Sequence, residues 1–450
     1  MRRLLPLDAE FLNLEDATTV TNIGGLAVLD GAITLEDLRD VLRRRLPEQL
    51  RARLLPVPLG LPYWIEDGSL ELDYHVREIA LPAPGDDGQL AGQVARIHER
   101  PLDRRRPLWE MYLIQGLAGG RSAVYMKMSH AVADGIGGAD VMAALMDFTP
   151  EPADRQPVHQ VAEGAPSRLD LLGQGIRDIV SGLPNVIPAV ERLLAQLDTI
   201  PIVSRLPFAG RFRGEQPPVP RLVPPHTILN RPVGPHRGFA FCSLSFDQVK
   251  QAKARFGVTV NDVVLALCAG AVRRWLLDRD ALPVGPLVAG VPVAQPVRAG
   301  GNRLTLMMAA FPTHLDDPAD RVGATAESMA AVKARAAESS WVDDVTGLLP
   351  PALAAPLTRA AFWLAARTVT PLNLIISNVP GPQVPLYVCG ARLIAHYPVS
   401  VVTDVSGAVN ITVFSYDGAL HVGVIASRDL DLDLWDLTGH IEAELGTLTG

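Results

Sequence analysis

The residues of this chain best suited to chemistry are a histidine and, four positions later, an aspartate and a glycine. The segment AVYMKMSHAVADGIGG, residues 123–138, alternates apolar residues up to His130 and continues to Asp134 and Gly135. An imidazole with an ordinary pKa near ~6.5 can take a proton from a hydroxyl group at neutral pH and return it to a leaving group. Asp134 is expected to hold the loop or cap the next helix, and the glycines leave space for a substrate near the backbone. The pattern predicts a general base at the end of a strand.

Other kinds of site are less well supported by the sequence. Ligation of a metal by His130 and Asp134 would need a third ligand, and no HExxH pattern or nearby cluster supplies one. The chain has no GxSxG elbow for a Ser-His-Asp hydrolase, no GxGxxG fingerprint and no P-loop. On spacing alone a histidine without a catalytic role stays open, because HxxxDG also arises by chance. We therefore expect no metal and no resident cofactor.

Composition favours small-molecule chemistry in a folded, two-domain protein. The 450 residues exceed the usual size of one hydrophobic core, and 48% are apolar against 20% charged. The net charge of -8 gives no basic surface for nucleic acid. The three cysteines, Cys242, Cys268 and Cys389, are far apart and favour a reducing compartment. The N-terminal residues contain no apolar stretch of signal-peptide length, and no later segment predicts a membrane-spanning helix, so a cytoplasmic location is expected.

Changes in composition along the chain predict three regions. The first, residues 1–150, mixes strands with helices, one of which is expected to begin near Thr34. Residues 151–235 form a predicted linker, with apolar residues at helical spacing over 168–200 and a strap rich in proline and arginine after them. The apolar helical face could pack on the protein or lie on a membrane. The third region, residues 236–450, is the second predicted domain.

The second domain is predicted to combine strands and helices without strict alternation. Its first strand and helix lead to Asn261, which is expected to cap a helix over the run Val263–Trp275. A hairpin is predicted at Tyr416, Asp417 and Gly418, and a helix closes the chain. Further strands are predicted at PLVAGVPVA, LTLMMAAFP, LNLIISNVP, SVVTDVSGAVNITVFSYDG and ALHVGVIAS. This arrangement favours an α+β sandwich over a doubly wound parallel sheet.

Several separate motifs together resemble the bacterial wax ester synthase/acyl-CoA:diacylglycerol acyltransferase family, which carries HHxxxDG in its first half. The chain opens with PLDAEFLNLED at residues 6–16, and PLWE follows at 107–110. NDVVLA at 261–266 and SNVPGP at 377–382 match two further family motifs. GNRLTLMMAAFPT, followed by DPADR, resembles the segment before SNVPGP. The resemblance covers nearly the whole chain.

The resemblance implies a fold of two chloramphenicol-acetyltransferase-like sandwich domains with an active-site tunnel between them. In that reading His130 is the general base, and Asp134 and Gly135 support the motif. Asn261 and Asp262 become structural or tunnel-shaping residues, although for Asn261 the helix cap stays equally open. Trp109, in the PLWE motif, is expected to pack in the core rather than take part in the reaction. Arg298 is a candidate buried partner of Asp134.

One departure from the family pattern bears on activity. Ser129 occupies the position of the first motif histidine, so the chain has SHAVADG where the family has HHxxxDG. The resemblance assigns that first histidine a mainly structural role, and a serine hydroxyl can still form hydrogen bonds. Lowered activity and a changed range of acceptors are therefore both expected outcomes of the substitution.

The expected function is transfer of a fatty acyl group from acyl-CoA, as co-substrate, to diacylglycerol for triacylglycerol synthesis or to a long-chain alcohol for wax ester synthesis. His130 would act directly on the hydroxyl, without an acyl-enzyme. The expected partners are these lipids and the surface of a lipid droplet or of the inner face of the plasma membrane. Two alternatives stay open: a catalytically weakened lipid-binding or scaffold homologue, and a condensation-type acyltransferase with another hydroxyl acceptor.

Overall fold

The computed structural model of the chain describes residues 1–58, 60–132, 141, 144–151, 167, 170–173, 175–177, 180, 222–294, 304–336, 356, 360, 372–430 and 433–450. Three residues predicted from sequence to support the site, Asp134, Gly135 and Arg298, lie outside these ranges, as does most of the linker predicted over 151–235. The division at residues 150 and 235 therefore stays a prediction.

Several of the labelled helices begin at a residue whose side chain caps them. Thr34 accepts a hydrogen bond from the Asp37 backbone at 3.1 Å, and Asp86 and Gln89 form a reciprocal capping box. The predicted helix start at Thr34 is confirmed. The helices are α1 (Pro6–Leu14), α2 (Leu35–Arg45), α3 (Glu48–Arg51), α4 (Leu72–His75), α5 (Asp87–His98), α6 (Phe246–Phe256), α7 (Val260–Leu277), α8 (Pro318–Ala336) and α9 (Leu434–Thr449).

The strands carry the alternating or continuous apolar patterns expected of half-buried and fully buried sheets. They are β1 (Arg2–Arg3), β2 (Asn22–Asp30), β3 (Ala52–Leu55), β4 (Tyr63–Glu66), β5 (Val76–Ala80), β6 (Trp109–Gln115), β7 (Ser122–Ser129), β8 (Arg237–Ser245), β9 (Leu287–Ala294), β10 (Leu304–Phe311), β11 (Leu374–Val379), β12 (Tyr387–Val388), β13 (Ala391–Val399), β14 (Val409–Tyr416) and β15 (Ala419–Ser427).

Two six-stranded sheets dominate the described residues. The N-terminal sheet has the order β12-β13-β2-β7-β6-β5, and the C-terminal sheet has the order β10-β9-β11-β14-β15-β8. A small third sheet has the order β1-β4-β3. Strands and helices thus mix without the regular crossovers of a doubly wound fold, which agrees with the α+β class expected from sequence.

The two sheets are tied together by the chain itself. Strand β13, from the last quarter of the sequence, pairs with β2 in the N-terminal sheet, from Arg392 opposite Asp30 to Val399 opposite Gly24. In return, α5 from the first part of the chain shares one apolar core with β8, α7 and α9. Helix α7 is buried along most of its length, and Trp275 on it is fully enclosed. Burial of this size fixes the sheets relative to each other.

Two expectations about the second half were wrong in detail. The strand predicted from Ser400 begins only at Val409, because Asn410 holds the preceding loop by donating from Nδ2 to the Val401 carbonyl at 2.9 Å. Asn261 is not the cap of α7. That helix begins at Val260, where Thr259 caps it by accepting from the Asp262 backbone at 3.2 Å. Strand β13 was not predicted.

No single helix among the described residues has both the length and the apolar character needed to cross a bilayer. Helices α6 and α7 reach the required length and composition only as a pair, bent by 100° at the break between them.

Candidate active site

His130 lies directly after the last residue of β7, as the alternating pattern predicted. Its backbone N–H donates to the Thr21 carbonyl at 2.9 Å, which ties the turn to the start of β2. Its ring stacks on Phe11 of α1, with the ring centres 3.9 Å apart and the planes 12° from parallel. The half-buried imidazole is thus held in one orientation from two sides.

A cavity of about 390 Å³ lies between the two sheets and reaches His130. We call it the main cavity. Its walls are mostly apolar, which suits a hydrocarbon chain. The N-terminal half contributes Phe11, Leu14, Thr21, Ile23, Gly24, Gly25, Met126, Met128 and His130.

The C-terminal half lines the main cavity with a group of small polar side chains. Thr412 donates from Oγ1 to Asn410 Oδ1 at 3.1 Å, and Asn410 donates from Nδ2 to Ser400 Oγ at 3.3 Å. These polar atoms are satisfied within the wall, and the remaining hydroxyl capacity can meet polar atoms of a ligand. The members of this group are Ser377, Ser400, Thr403, Ser406, Asn410 and Thr412, and the ring of His396 lines the same wall.

A buried lysine supports the strand that carries His130. Lys127 is fully buried, and its ammonium group donates to the carbonyls of Ile97 and Arg100, at 3.1 Å each. Glu110 on β6 completes the set, with a carboxylate oxygen 3.1 Å from Lys127 Nζ. Burial lowers the pKa of Lys127, and the neighbouring carboxylate opposes that change. Lys127, three positions before His130, therefore joins β7 to β6 and to the C-terminal end of α5.

A buried histidine, His98, links the two halves of the chain beside the main cavity. His98 has Nδ1 2.7 Å from the Tyr125 hydroxyl and Nε2 3.0 Å from the Ser400 carbonyl. Burial lowers the pKa of His98 to about 3, so the ring is neutral at pH 7. A carbonyl can only accept, so Nε2 carries the hydrogen and Nδ1 accepts from Tyr125. This contact fixes the start of the loop that follows β13.

Ser129, at the position of the missing family histidine, is buried inside the sheet rather than placed on the cavity wall. It is 1% exposed, and its Oγ accepts a hydrogen bond from the Ala131 backbone at 3.3 Å. Its own backbone N–H donates to the Leu108 carbonyl at 3.0 Å. These contacts stabilise the turn after β7.

We expect Ser129→Ala to lower the free energy of unfolding by about 0.5–1.5 kcal/mol, the usual net value of one hydrogen bond. Activity should fall by less than about tenfold, because the hydroxyl does not line the main cavity. Urea unfolding and an acyl-transfer assay measure the two effects. Ser122→Ala is the matched control, since Ser122 is also a buried β7 serine and donates to the Gly31 carbonyl at 2.7 Å. A loss above about a hundredfold, typical of removing a general acid or base, would give Ser129 a chemical role.

Trp109, in the PLWE motif, makes packing contacts. It is fully buried, its Nε1 donates to the Leu50 carbonyl at 2.7 Å, and its ring stacks on His75 with centres 4.5 Å apart. His75 Nδ1 lies 2.8 Å from the Trp109 carbonyl. Burial lowers the pKa of His75, so this pair is a neutral core contact.

The ND motif lies at the start of α7 and touches a second motif. The Asp262 carboxylate accepts hydrogen bonds from the Thr259 backbone at 2.9 Å and from its hydroxyl at 2.7 Å. Asn261 Oδ1 accepts from Asn378 Nδ2, in SNVPGP, at 3.4 Å. Neither Asn261 nor Asp262 lines the main cavity. Both therefore shape the fold around the site rather than its wall.

The described residues that follow the HxxxDG motif are anchored as well. Arg45 and Asp147 form a buried ion pair, with Arg45 Nη1 2.8 and 2.9 Å from the two carboxylate oxygens. The Asp147 backbone also exchanges two hydrogen bonds with Tyr387, at 2.9 and 2.8 Å. Together with the His130–Thr21 bond, these contacts position both ends of the segment that contains Asp134 and Gly135.

Sequence reasoning missed most of the cavity wall. Phe11, which orients the imidazole, lies in the PLDAEFLNLED opening that carried part of the family resemblance, and this was the one available signal. The loop over residues 400–406 was expected to be a strand. Its small polar side chains line the main cavity because this loop directly follows β13, which pairs with β2 in the N-terminal sheet.

The fold and the site define a class: two interlocked α+β halves that enclose an apolar cavity with a histidine on its wall. The chain matches a solved wax ester synthase/diacylglycerol acyltransferase from Marinobacter aquaeolei with a TM-score of 0.71 and 29% identity, over 99% of this chain and 98% of that one. A starter condensation domain of rhizomide synthetase, solved with C8-CoA, matches with a TM-score of 0.54 and 14% identity, over 100% and 94%. The latter likeness shows the fold alone. The expected fold class is confirmed.

The sequence places the chain within that class. Residues 4–264 match the wax ester synthase/diacylglycerol acyltransferase catalytic domain, and residues 300–449 match the C-terminal domain of the same family. A Mycobacterium tuberculosis relative named as a candidate diacylglycerol O-acyltransferase is 37% identical, over 98% of each chain. The O-acyltransferase WSD of Acinetobacter baylyi is 32% identical, over 100% of this chain and 97% of its own. The chain belongs to the wax ester synthase/diacylglycerol acyltransferase family, as its motifs predicted.

Proposed function

We propose that this chain transfers a long fatty acyl group from acyl-CoA to the hydroxyl of diacylglycerol or of a long-chain alcohol, with His130 as general base. The observation that carries the proposal is the placement of this imidazole on the wall of a mostly apolar cavity between the two sheets. Family membership and full-length relatives named as O-acyltransferases support the class of enzyme.

The proposed chemistry is one direct transfer. His130 takes the hydroxyl proton as the alcohol oxygen attacks the thioester carbonyl, so that a C–O bond forms and the C–S bond then breaks. The proton passes from the imidazolium to the thiolate of CoA. The transfer needs no acyl-enzyme and no resident cofactor, and acyl-CoA is a co-substrate. Phe11 contributes by holding the ring in place before the reaction, which is the usual benefit of a preorganised site.

The shape and polarity of the main cavity support the two proposed acceptors. A diacylglycerol or a fatty alcohol carries one hydroxyl on a long apolar body, which matches apolar walls with a few polar groups such as Ser377 and Thr412. The chain belongs to a family named for both products, so the two acceptors are proposed together.

The proposal is tested by incubating the purified protein with diolein or hexadecanol as acceptor. The radiolabelled acyl donor is palmitoyl-CoA in one series and an acylated carrier protein in the other. We expect labelled triacylglycerol, wax ester or both, without any carrier. Product only from the carrier-bound acyl group would favour the condensation-type alternative. Binding of acyl-CoA without any product would favour a lipid-binding homologue, the alternative that Ser129 raises.

We also propose that the protein works in the cytoplasm, at the surface of a membrane or lipid droplet, where its substrates are dissolved. The described helical residues 170–173, 175–177 and 180 support this. Leu172, Ile176 and Val180 recur at the spacing of one helical face and are 39%, 49% and 61% exposed, while Leu171 packs on Val57 and Tyr63. An apolar face of this kind can enter the headgroup region of a lipid surface.

Ile176→Glu is expected to weaken binding to diolein-containing phosphatidylcholine vesicles about tenfold, because burying an isoleucine is worth about 1.5–3 kcal/mol. Vesicle sedimentation measures the partition. Val284→Glu is the control, since Val284 is 99% exposed and lies far along the chain, so the same chemical change should leave binding unaltered there. Equal effects of both variants, or no effect of either, would argue against a lipid contact through residues 170–180.

A further inference from the structure

Two cavities lie on one face of the N-terminal sheet and share part of their walls. The second, of about 40 Å³, lies between the sheet and α2 and is lined by apolar side chains such as Leu38, Leu42 and Val124. We call it the end cavity. Gly25, Met126 and His396 line both the main cavity and the end cavity. These three residues therefore form the partition between them.

His396 fills that partition with its ring. It lies on β13 just beyond an irregularity in the pairing with β2, between Leu393 and Ala395, and a break in register of this kind redirects side chains. The ring is 5% exposed and meets Phe414 edge-on, with centres 4.9 Å apart. Gly25 makes room for it, since a Cβ at that position would come within 2.3 Å of the His396 Cε1 atom.

The His396 ring is also a polar group that lacks a hydrogen bond in apolar surroundings. Nδ1 of His396 is buried without a hydrogen-bond partner among the described residues. Burial lowers the pKa of His396 to about 3, so the ring is neutral at pH 7. An imidazole with an unpaired nitrogen is a costly way to fill space that leucine or methionine could fill. The residue is therefore better explained by the cavities on either side of it than by packing alone.

A straight path leads from His130 to this partition. On β7, Met128, Met126 and Val124 alternate onto one face, opposite Ile23, Gly25 and Ala27 of β2. Met128 and Met126 line the main cavity, and Val124 lines the end cavity. Residues two apart on a strand are separated by ~6.6 Å, so the path from Met128 to Val124 covers ~13 Å.

We infer that His396 sets the length limit for a hydrocarbon chain that extends along β7 from the reacting atoms. The inference rests on the proposed function and names a specificity residue for it. With the ring in place the chain ends at the partition, and without it the main cavity continues into the end cavity. The chain belongs either to the acyl donor or to the alcohol acceptor, and the shared chemistry is an unbranched alkyl group.

The test compares kcat/KM for myristoyl-CoA and decanoyl-CoA, and in a second arm for tetradecanol and decanol, in wild type and His396→Ala. Each additional buried methylene is worth about a fourfold gain in affinity, so the preference for the longer substrate should rise at least ~tenfold in one arm. The arm that responds identifies which substrate occupies the path. Met126→Ala, which opens the same partition from β7, should change the same arm.

Two controls separate size from other effects. His396→Leu refills the space with an apolar side chain and should keep the wild-type preference within ~threefold. His421→Ala removes a buried imidazole that lines neither cavity and should do the same. Unchanged preferences in both arms for His396→Ala and Met126→Ala, in an enzyme that transfers acyl groups, would overturn the inference and leave the proposed function intact.

Titration calorimetry with decanoic and myristic acid provides a readout that does not need turnover. The ratio of the affinity for myristic acid to the affinity for decanoic acid should be at least ~tenfold higher in His396→Ala than in wild type. If wild type transfers no acyl group, the proposed function fails, and this affinity ratio alone decides whether His396 limits chain length.

Discussion

Replacing His130 by alanine is expected to lower kcat for acyl transfer by about 10²–10⁴-fold, the usual contribution of a positioned general base. The KM for acyl-CoA should change by less than about threefold, because the apolar walls of the main cavity remain. Loss of the stacking contact with Phe11 costs only about 0.5–1.5 kcal/mol, so the variant stays folded. Initial rates over a range of acyl-CoA concentrations give both parameters.

His440→Ala is the matched control for that experiment. His440 lies on α9, with Nε2 2.8 Å from the Asp278 carboxylate, and it lines neither the main cavity nor the end cavity. Its loss should leave kcat unchanged. A His130→Ala enzyme that keeps more than about a tenth of the wild-type kcat would show that the imidazole is not the base, since even a weak general base contributes more than that.

Replacing Lys127 by methionine is expected to lower the free energy of unfolding by about 3–5 kcal/mol. The variant removes the only ammonium group that faces Glu110 among the described residues. The Glu110 side chain is only 9% exposed, and it keeps two contacts, with Arg77 at 3.4 Å and with the Tyr112 hydroxyl at 2.9 Å. It also leaves the carbonyls of Ile97 and Arg100 without this donor. Urea unfolding followed by tryptophan fluorescence measures the loss.

Two comparisons decide the interpretation of that loss. Lys250→Met removes a lysine from an exposed pair with Asp247, 3.0 Å apart, and should cost less than about 1 kcal/mol. Adding Glu110→Gln to Lys127→Met should restore part of the stability, because the buried carboxylate that lost its lysine partner is then replaced by a neutral amide. Equal losses for Lys127→Met and Lys250→Met would mean that the buried network contributes little.

The parts of the fold that could be predicted from sequence are those with strong local patterns. Alternation over residues 123–130 fixed β7 and the position of His130 at its end, because period two matches the pleat of a strand. Thr34 predicted the start of α2, because a threonine side chain can cap the first turn of a helix. The turn at Asp417 and Gly418 has positive φ angles of 42° and 81°, which is the backbone that a Tyr-Asp-Gly hairpin signal requires.

The parts that could not be predicted depend on contacts between distant segments. Strand β13 joins the N-terminal sheet from the other end of the chain, and no local pattern states which sheet a strand will enter. Phe11 contacts His130 only because α1 folds back across the end of β7. The helix cap was assigned to Asn261 rather than Thr259 because both residue types cap helices, and only the reciprocal bonds with Asp262 distinguish them.

The most direct test of a histidine base in the main cavity supplies palmitoyl-CoA and diolein as substrates. It measures CoA release and triacylglycerol formation in the same reaction. We expect wild type to form both products at the same rate, only when diolein is present, and His130→Ala to form both about 10²–10⁴-fold more slowly. Triacylglycerol formation by His130→Ala at the wild-type rate, or release of CoA in step with an acylated protein, would contradict direct transfer assisted by this imidazole.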